Sequence, residues 1–91
     1  MRTGGRVDLV LESAGADTVR YRLELATPEQ AWRGEATVEL AGGRVDIVAG
    51  DSPPPWLVDA ARAFLRTAWS ARRAAPSPWP RRIQRWRPAP A

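Results

Sequence analysis

The stretch Gly50-Asp51-Ser52-Pro53-Pro54-Pro55-Trp56-Leu57 separates two parts of the chain that follow different periodicities. Each residue that precedes a proline is pushed out of the α region, so this stretch reads as a stiff connector. Pro55 nonetheless suits the first position of a helix, where a missing N–H costs nothing. Before the connector, apolar and polar residues alternate with period two, the pattern of a strand with one buried face. After it, the apolar residues recur at the spacing of a helix with one apolar stripe.

Working back from the connector, Arg44–Val48 turns Val45 and Ile47 inward, and Ala41-Gly42-Gly43 ahead of it is a hairpin signal, since paired glycines accept positive φ. Gln30–Leu40 turns Trp32, Ala36, Val38 and Leu40 inward and Arg33, Glu35, Thr37 and Glu39 outward. Ala26-Thr27-Pro28-Glu29 is a turn, with the proline ending the ladder. Thr18–Leu25 places Val19, Tyr21, Leu23 and Leu25 inward. Beyond the turn Ser13-Ala14-Gly15-Ala16-Asp17, the segment Arg6–Glu12 places Val7, Leu9 and Leu11 inward. Connections this short make consecutive strands antiparallel neighbours, which predicts a four-stranded β-meander.

Working forward, Leu57, Ala61, Phe64, Leu65, Ala68 and Trp69 form one helical stripe, and Asp59, Arg62, Arg66, Ser70 and Arg73 form the opposite ridge. Asp59 suits the start of this helix and Arg72 and Arg73 its end, where they complement the dipole. Pro76 stops it by Ala75. The expected fold is therefore α+β: residues 1–75 form a four-stranded antiparallel β-meander covered on one face by a single C-terminal α-helix. The core is the inward strand residues plus Phe64, Leu65 and Trp69. A core of that size is worth only a few kcal/mol, so a homodimer that protects a strand edge is an expectation too.

Residues 76–91 form a basic tail rich in Pro, Arg and Trp. Its five prolines favour an extended, disordered arm. The spacing of Trp79, Ile83 and Trp86 instead suits a short helical turn opened by Pro80, with those three side chains on one face. Side chains this large and apolar are expected to pack at least partly on the domain.

Charge is divided along the chain. Residues 1–59 hold six Arg against ten Asp and Glu, a net charge of −4, whereas residues 60–91 hold eight Arg and no acid. The chain has no Lys, Asn or His, the profile of a GC-rich bacterial genome, which accounts for the cations being arginines. It does not account for where they sit. Such asymmetry points to a polyanionic or acidic partner for the C-terminal third.

Composition also limits the chemistry. With no cysteine there are no disulfides, thiolate metal sites or redox reactions. No signal-peptide core follows Met1, and no run of about 18 apolar residues is present to span a bilayer, so the expected location is cytoplasmic. The absence of His, Cys and Lys removes the usual general bases and nucleophiles, and nothing activates Ser13, Ser52, Ser70 or Ser77. Glu35, Glu39 and Asp46 share the outer sheet face with Arg33 and Arg44, as alternating charges on a solvated sheet do. No enzyme, metal, cofactor or small-molecule substrate is expected.

Nucleic-acid binding is the leading functional expectation. Arg62, Arg66 and Arg73 on one helical ridge, with Arg81, Arg82, Arg85 and Arg87 of the tail, would make a basic strip that neutralises phosphates and releases counterions. Trp79 and Trp86, if exposed, would stack on unpaired bases, which suits single strands or RNA without strong sequence specificity. The order of four strands and a helix over about residues 6–75 is similar to the repeat unit of the PUR and Whirly single-strand-binding proteins, a likeness of element order alone. The outward sheet residues carry five Arg (Arg6, Arg20, Arg22, Arg33, Arg44) against six acids (Asp8, Glu12, Glu24, Glu35, Glu39, Asp46). Phosphate contacts would therefore fall to the helix and tail. The alternative is a protein-interaction or assembly module whose Arg/Trp/Pro tail docks on an acidic protein partner or a second copy. A membrane surface is disfavoured, because Ile83 is the tail's sole aliphatic anchor.

Overall fold

The computed structural model describes residues 4–75 and 78–90; Pro76, the expected helix stop, and Ser77 lie outside them. Its elements in chain order are β1 (Gly4–Ala14), β2 (Thr18–Ala26), β3 (Ala31–Glu39), β4 (Val45–Ala49), α1 (Pro55–Ala74) and β5 (Arg82–Pro88). The four strands of the meander pair antiparallel in sequence, in registers such as Leu9↔Leu23, Tyr21↔Ala36 and Val38↔Val45. A bulge between Leu11 and Ser13 lets β1 run on to Ala14. The fold is α+β, as the two periodicities imply, with α1 following the meander across its inner face.

The tail departs from both readings of it. Residues 82–88 are a fifth strand, antiparallel to β1, and the sheet order is β4-β3-β2-β1-β5. A strand rather than a helical turn forms here because β1 has an open edge whose N–H and C=O groups need partners. The consequence for side chains is direct. A helical turn would put Trp79, Ile83 and Trp86 on one face, but Ile83 pairs with Leu9 on the inner side whereas Trp86 pairs with Arg6 on the outer side.

The core lies between the sheet and α1. Val7, Leu9, Tyr21, Leu23, Leu25, Ala36 and Val38 are all but inaccessible from the sheet side, and Leu57, Ala61 and Leu65 from the helix side. Of the three helix residues expected in the core, only Leu65 is fully buried; Phe64 and Trp69 pack at its margins. Small Ala61 at the centre of the stripe lets the helix backbone approach the sheet, leaving the larger rings to fill the flanks. Trp69 closes the β3–β4 turn, its Nε1 donating to the Leu40 carbonyl at 2.9 Å. Gly43 in that turn has φ +74°, and a Cβ there would stand 2.6 Å from the Trp69 ring. Glycine is thus required twice over, by backbone conformation and by the ring above it.

Pro55 opens α1 as its fixed φ suits, but the expectation for Asp59 is adjusted. The first turn holds no acidic residue and the N-cap Pro54 offers no side-chain bond. Asp59 lies past that turn and pairs with Arg62 at 3.4 Å, so it supports the helix as an i,i+3 pair rather than through the dipole.

Two tail residues complete the core: Trp79 and Ile83, each 7% exposed. Trp79 meets Tyr21 edge-on with ring centroids 6.2 Å apart. The Tyr21 hydroxyl donates to the Pro80 carbonyl at 2.6 Å, fixing the approach to β5. Burial pushes the Tyr21 hydroxyl up to about 12 against an ordinary value of 10.0. A raised folded-state value means that stability is fully present below pH 10 and is lost as pH rises towards 12. Tyr21 is the chain's single tyrosine, so its ionisation can be read directly by absorbance and should coincide with loss of near-UV circular dichroism. Trp79→Ala should cost about 3–5 kcal/mol in urea unfolding, as for other buried aromatic truncations. Tyr21→Phe should cost about 1 kcal/mol.

Candidate functional site

The phase of β5 decides what its side chains can do. Pairing sets Ile83, Arg85 and Arg87 opposite Leu9, Val7 and Gly5 on the helix side, and Arg82, Gln84 and Trp86 opposite Val10, Asp8 and Arg6 on the outer side. The nine candidate residues therefore do not converge on one site.

Three of them lie on the ridge of α1 that borders β4. Arg62 donates through Nε to the Val45 carbonyl at 3.5 Å and through Nη1 to Asp59 at 3.4 Å. Arg66 is exposed. Arg73 rests 5.0 Å above the centroid of the Trp69 ring. On the other flank of α1, Arg87 rests 4.9 Å from the Phe64 ring. Arg85 donates to the Gln84 carbonyl at 2.9 Å. Arg81, exposed just before β5, gives its carbonyl to the Leu11 amide at 2.8 Å.

On the outer face Arg82 is tied to Asp8 by two bonds, Nε to Oδ1 at 2.9 Å and Nη2 to Oδ2 at 2.7 Å. The hydrogen bonds from Arg82 hold the Asp8 carboxyl below its ordinary value against the opposing cost of burial, and the charges of Arg82 and Arg6 reinforce them. Bidentate geometry of this kind is the strong form of the Arg–carboxylate pair. Arg82 thus ties β5 to β1. Around it lies a shallow hollow of about 480 Å³ bounded by Asp8, Arg22, Glu24, Arg33 and Arg82. Glu24 there takes Arg6 at 3.2 Å and Arg33 at 3.5 Å. The outer face is a grid of both signs, as its balanced sequence implies.

The tryptophans separate in the same way. Trp79 is a core residue and presents no ring to solvent. Trp86 is 49% exposed on the outer face and lies over Gly4, where a Cβ would collide with the indole. Among the described residues these two rings do not form a shared stacking platform.

Two contributors have no clear signature in the sequence. Arg72, at the helix end, places its guanidinium 5.1 Å from the Trp79 centroid, and one of its Nη atoms is buried with no hydrogen-bond partner among the described residues. Its place near the buried stripe, rather than on the exposed ridge, is the one hint available beforehand. Asp8 looks like any outward strand acid, because its partner lies 74 residues away. Among the described residues no three His, Cys, Asp or Glu side chains gather to hold a metal ion, and no helix is long and apolar enough to cross a membrane.

The Asp8 carboxyl is depressed in the folded state, so its stabilising effect is present above the ordinary value of 3.8 and is lost as pH falls through the folded value. Asp8→Asn should lower the urea midpoint at neutral pH, and that difference from the parent chain should shrink as pH is taken below 3.8. Deleting everything after Ala75 removes a strand and two core side chains; it should abolish cooperative unfolding, read by circular dichroism. Comparison of the chain with protein-family models, curated proteins and solved structures finds no match, so the roles assigned to these residues rest on their geometry.

Proposed function

We propose that this protein is a small, non-enzymatic interaction module that binds an acidic protein partner through arginines of α1 and the β5 segment. The observation that carries the reading is the state of the arginines beyond Asp59. Arg62 and Arg82 are ion-paired, whereas Arg66, Arg72, Arg73, Arg81, Arg85 and Arg87 have no carboxylate within reach among the described residues. Three of the six are seated on aromatic rings: Arg72 on Trp79 at 5.1 Å, Arg73 on Trp69 at 5.0 Å and Arg87 on Phe64 at 4.9 Å. An arginine stacked on a ring has already given up much of its rotamer freedom, and for the exposed Arg73 and Arg87 the edges of the fork remain available to a carboxylate. Arginines held in this way are favoured anchors at protein interfaces.

The same arrangement weighs against single-stranded nucleic acid. Binding of that kind combines a continuous basic track with several stacking rings. Here the free arginines flank both sides of α1, Trp79 is buried, and Trp86 lies on the opposite face of the sheet from α1.

Fluorescence anisotropy with a short polyglutamate peptide and a thymidine oligonucleotide of equal charge tests the choice. The peptide should bind, with Arg73→Gln and Arg87→Gln each weakening it about three- to tenfold, while Trp86→Ala leaves it unchanged. Tighter binding of the oligonucleotide that is lost in Trp86→Ala would replace this reading with the nucleic-acid one. Binding of neither probe would refute both.

A further inference from the structure

The two edges of the sheet differ in chemistry. In an antiparallel ladder, alternate residues turn their N–H and C=O towards the neighbouring strand, and the residues between turn theirs away. The Leu11 amide bonds the Arg81 carbonyl, which sets the phase of β5. Arg82, Gln84, Trp86 and Pro88 therefore face the open side. That edge is obstructed: Pro88 has no N–H, and the Gln84 carbonyl is occupied by Arg85 at 2.9 Å. Charge and proline are the usual means of blunting an exposed edge.

The edge formed by β4 has little of this. The bonds Glu39 N–H to Arg44 carbonyl at 2.8 Å and Gly50 N–H to Arg33 carbonyl at 3.4 Å set its phase. Val45, Ile47 and Ala49 consequently turn their peptide groups outward. Among the described residues no strand lies beyond β4, and of these groups only the Val45 carbonyl has a partner, Arg62 at 3.5 Å. The strand reads Val45-Asp46-Ile47-Val48-Ala49, β-branched at three of its five positions, with Asp46 as its one charge. Val48 is 75% exposed on the outer face and is one of two large apolar side chains exposed among the described residues.

We infer that β4 pairs with β4 of a second copy, antiparallel about a two-fold axis through Ile47, giving a continuous ten-stranded sheet. In that register Ile47 faces Ile47, the outward groups of Val45 meet those of Ala49, and Asp46 stands beside Val48. Arg44, exposed and held only by Asp46 of its own chain at 3.2 Å, comes opposite Gly50 and next to Asp51 of the second copy. Asp51 is exposed and has no ion-pair partner among the described residues, so the charges at both ends of the seam are complementary. The alternative, β4 against β5, would be head-to-tail and open-ended, and the obstructed β5 edge disfavours it. An isologous seam closes at two copies. Both helices then lie on the same face, and the two β5 edges become the outer ends of the assembly.

Sedimentation velocity on the full chain over a range of concentrations tests the seam, with two substitutions at one exposed position. Wild type should approach twice the 10.0 kDa monomer mass. Val48→Asp sets a carboxylate against Asp46 of the second copy and should raise the dimer dissociation constant about tenfold. Val48→Lys at the same site should leave dimerisation as tight or tighter. A wild-type chain that stays monomeric at the highest concentration would overturn the inference. So would a dimer in which both substitutions act alike or neither acts. Should Val48→Asp fail to fold, amide exchange on wild type decides: protection of Ile47 and Ala49 that grows with concentration supports the seam, and protection independent of concentration refutes it.

Discussion

Strand β1 needs a partner on each side. In a plain four-stranded meander its second edge would carry unpaired N–H and C=O groups, and Val7 and Leu9 would stand at the rim of the core. Residues 82–88 supply that partner, and most of the unusual features of the chain follow from their doing so. Trp79 is drawn under the sheet beside Tyr21 because the chain must pass there to reach the β1 edge. Arg82 meets Asp8 because strand pairing brings them to adjacent positions on the outer face. Arg87 reaches Phe64 because the same pairing points it towards α1. Each contact strengthens the docking of β5, but none would exist without the ladder.

This changes the meaning of the charge asymmetry. An acidic N-terminal part and a basic C-terminal part look, along the sequence, like a domain with an arm for an external anion. In three dimensions part of that basic segment is neutralised internally, by Asp8, and part is held in place by aromatic rings. What is left for a partner is the set of arginines without an acid of their own, and it is divided between the two flanks of one helix.

Local patterning carried the fold a long way. Period two in Thr18–Leu25 and Gln30–Leu40, and the helical stripe after Pro55, are strong signals because a buried face must repeat with the geometry of its element. The double glycine marked the β3–β4 turn for the same kind of reason. The fifth strand was not legible. In Arg82–Pro88 only Ile83 is buried, so the alternation that betrays a half-buried strand is nearly absent. Its position is dictated by a vacancy on β1, and vacancies are properties of the assembled sheet. The surroundings of the candidate residues were hidden for the related reason that an arginine's contacts depend on its nearest acid or ring. The sequence distances to Asp8, Phe64 and Trp79 give no warning of those contacts.

Pairing between β1 and β5 also governs how the molecule must be built. The two strands that meet are the first and last elements of the chain, so their contact closes nearly the longest loop available. Loop-closure entropy grows only slowly with length, so the final stability suffers little. Folding speed is another matter, since long-range pairings are the ones that retard it. The meander and α1 can form from near neighbours alone, but Trp79 and the last strand must wait. Until they arrive, the ring of Tyr21 and the rim of β1 face water, and this is the interval in which the molecule is most open to pairing with the wrong strand.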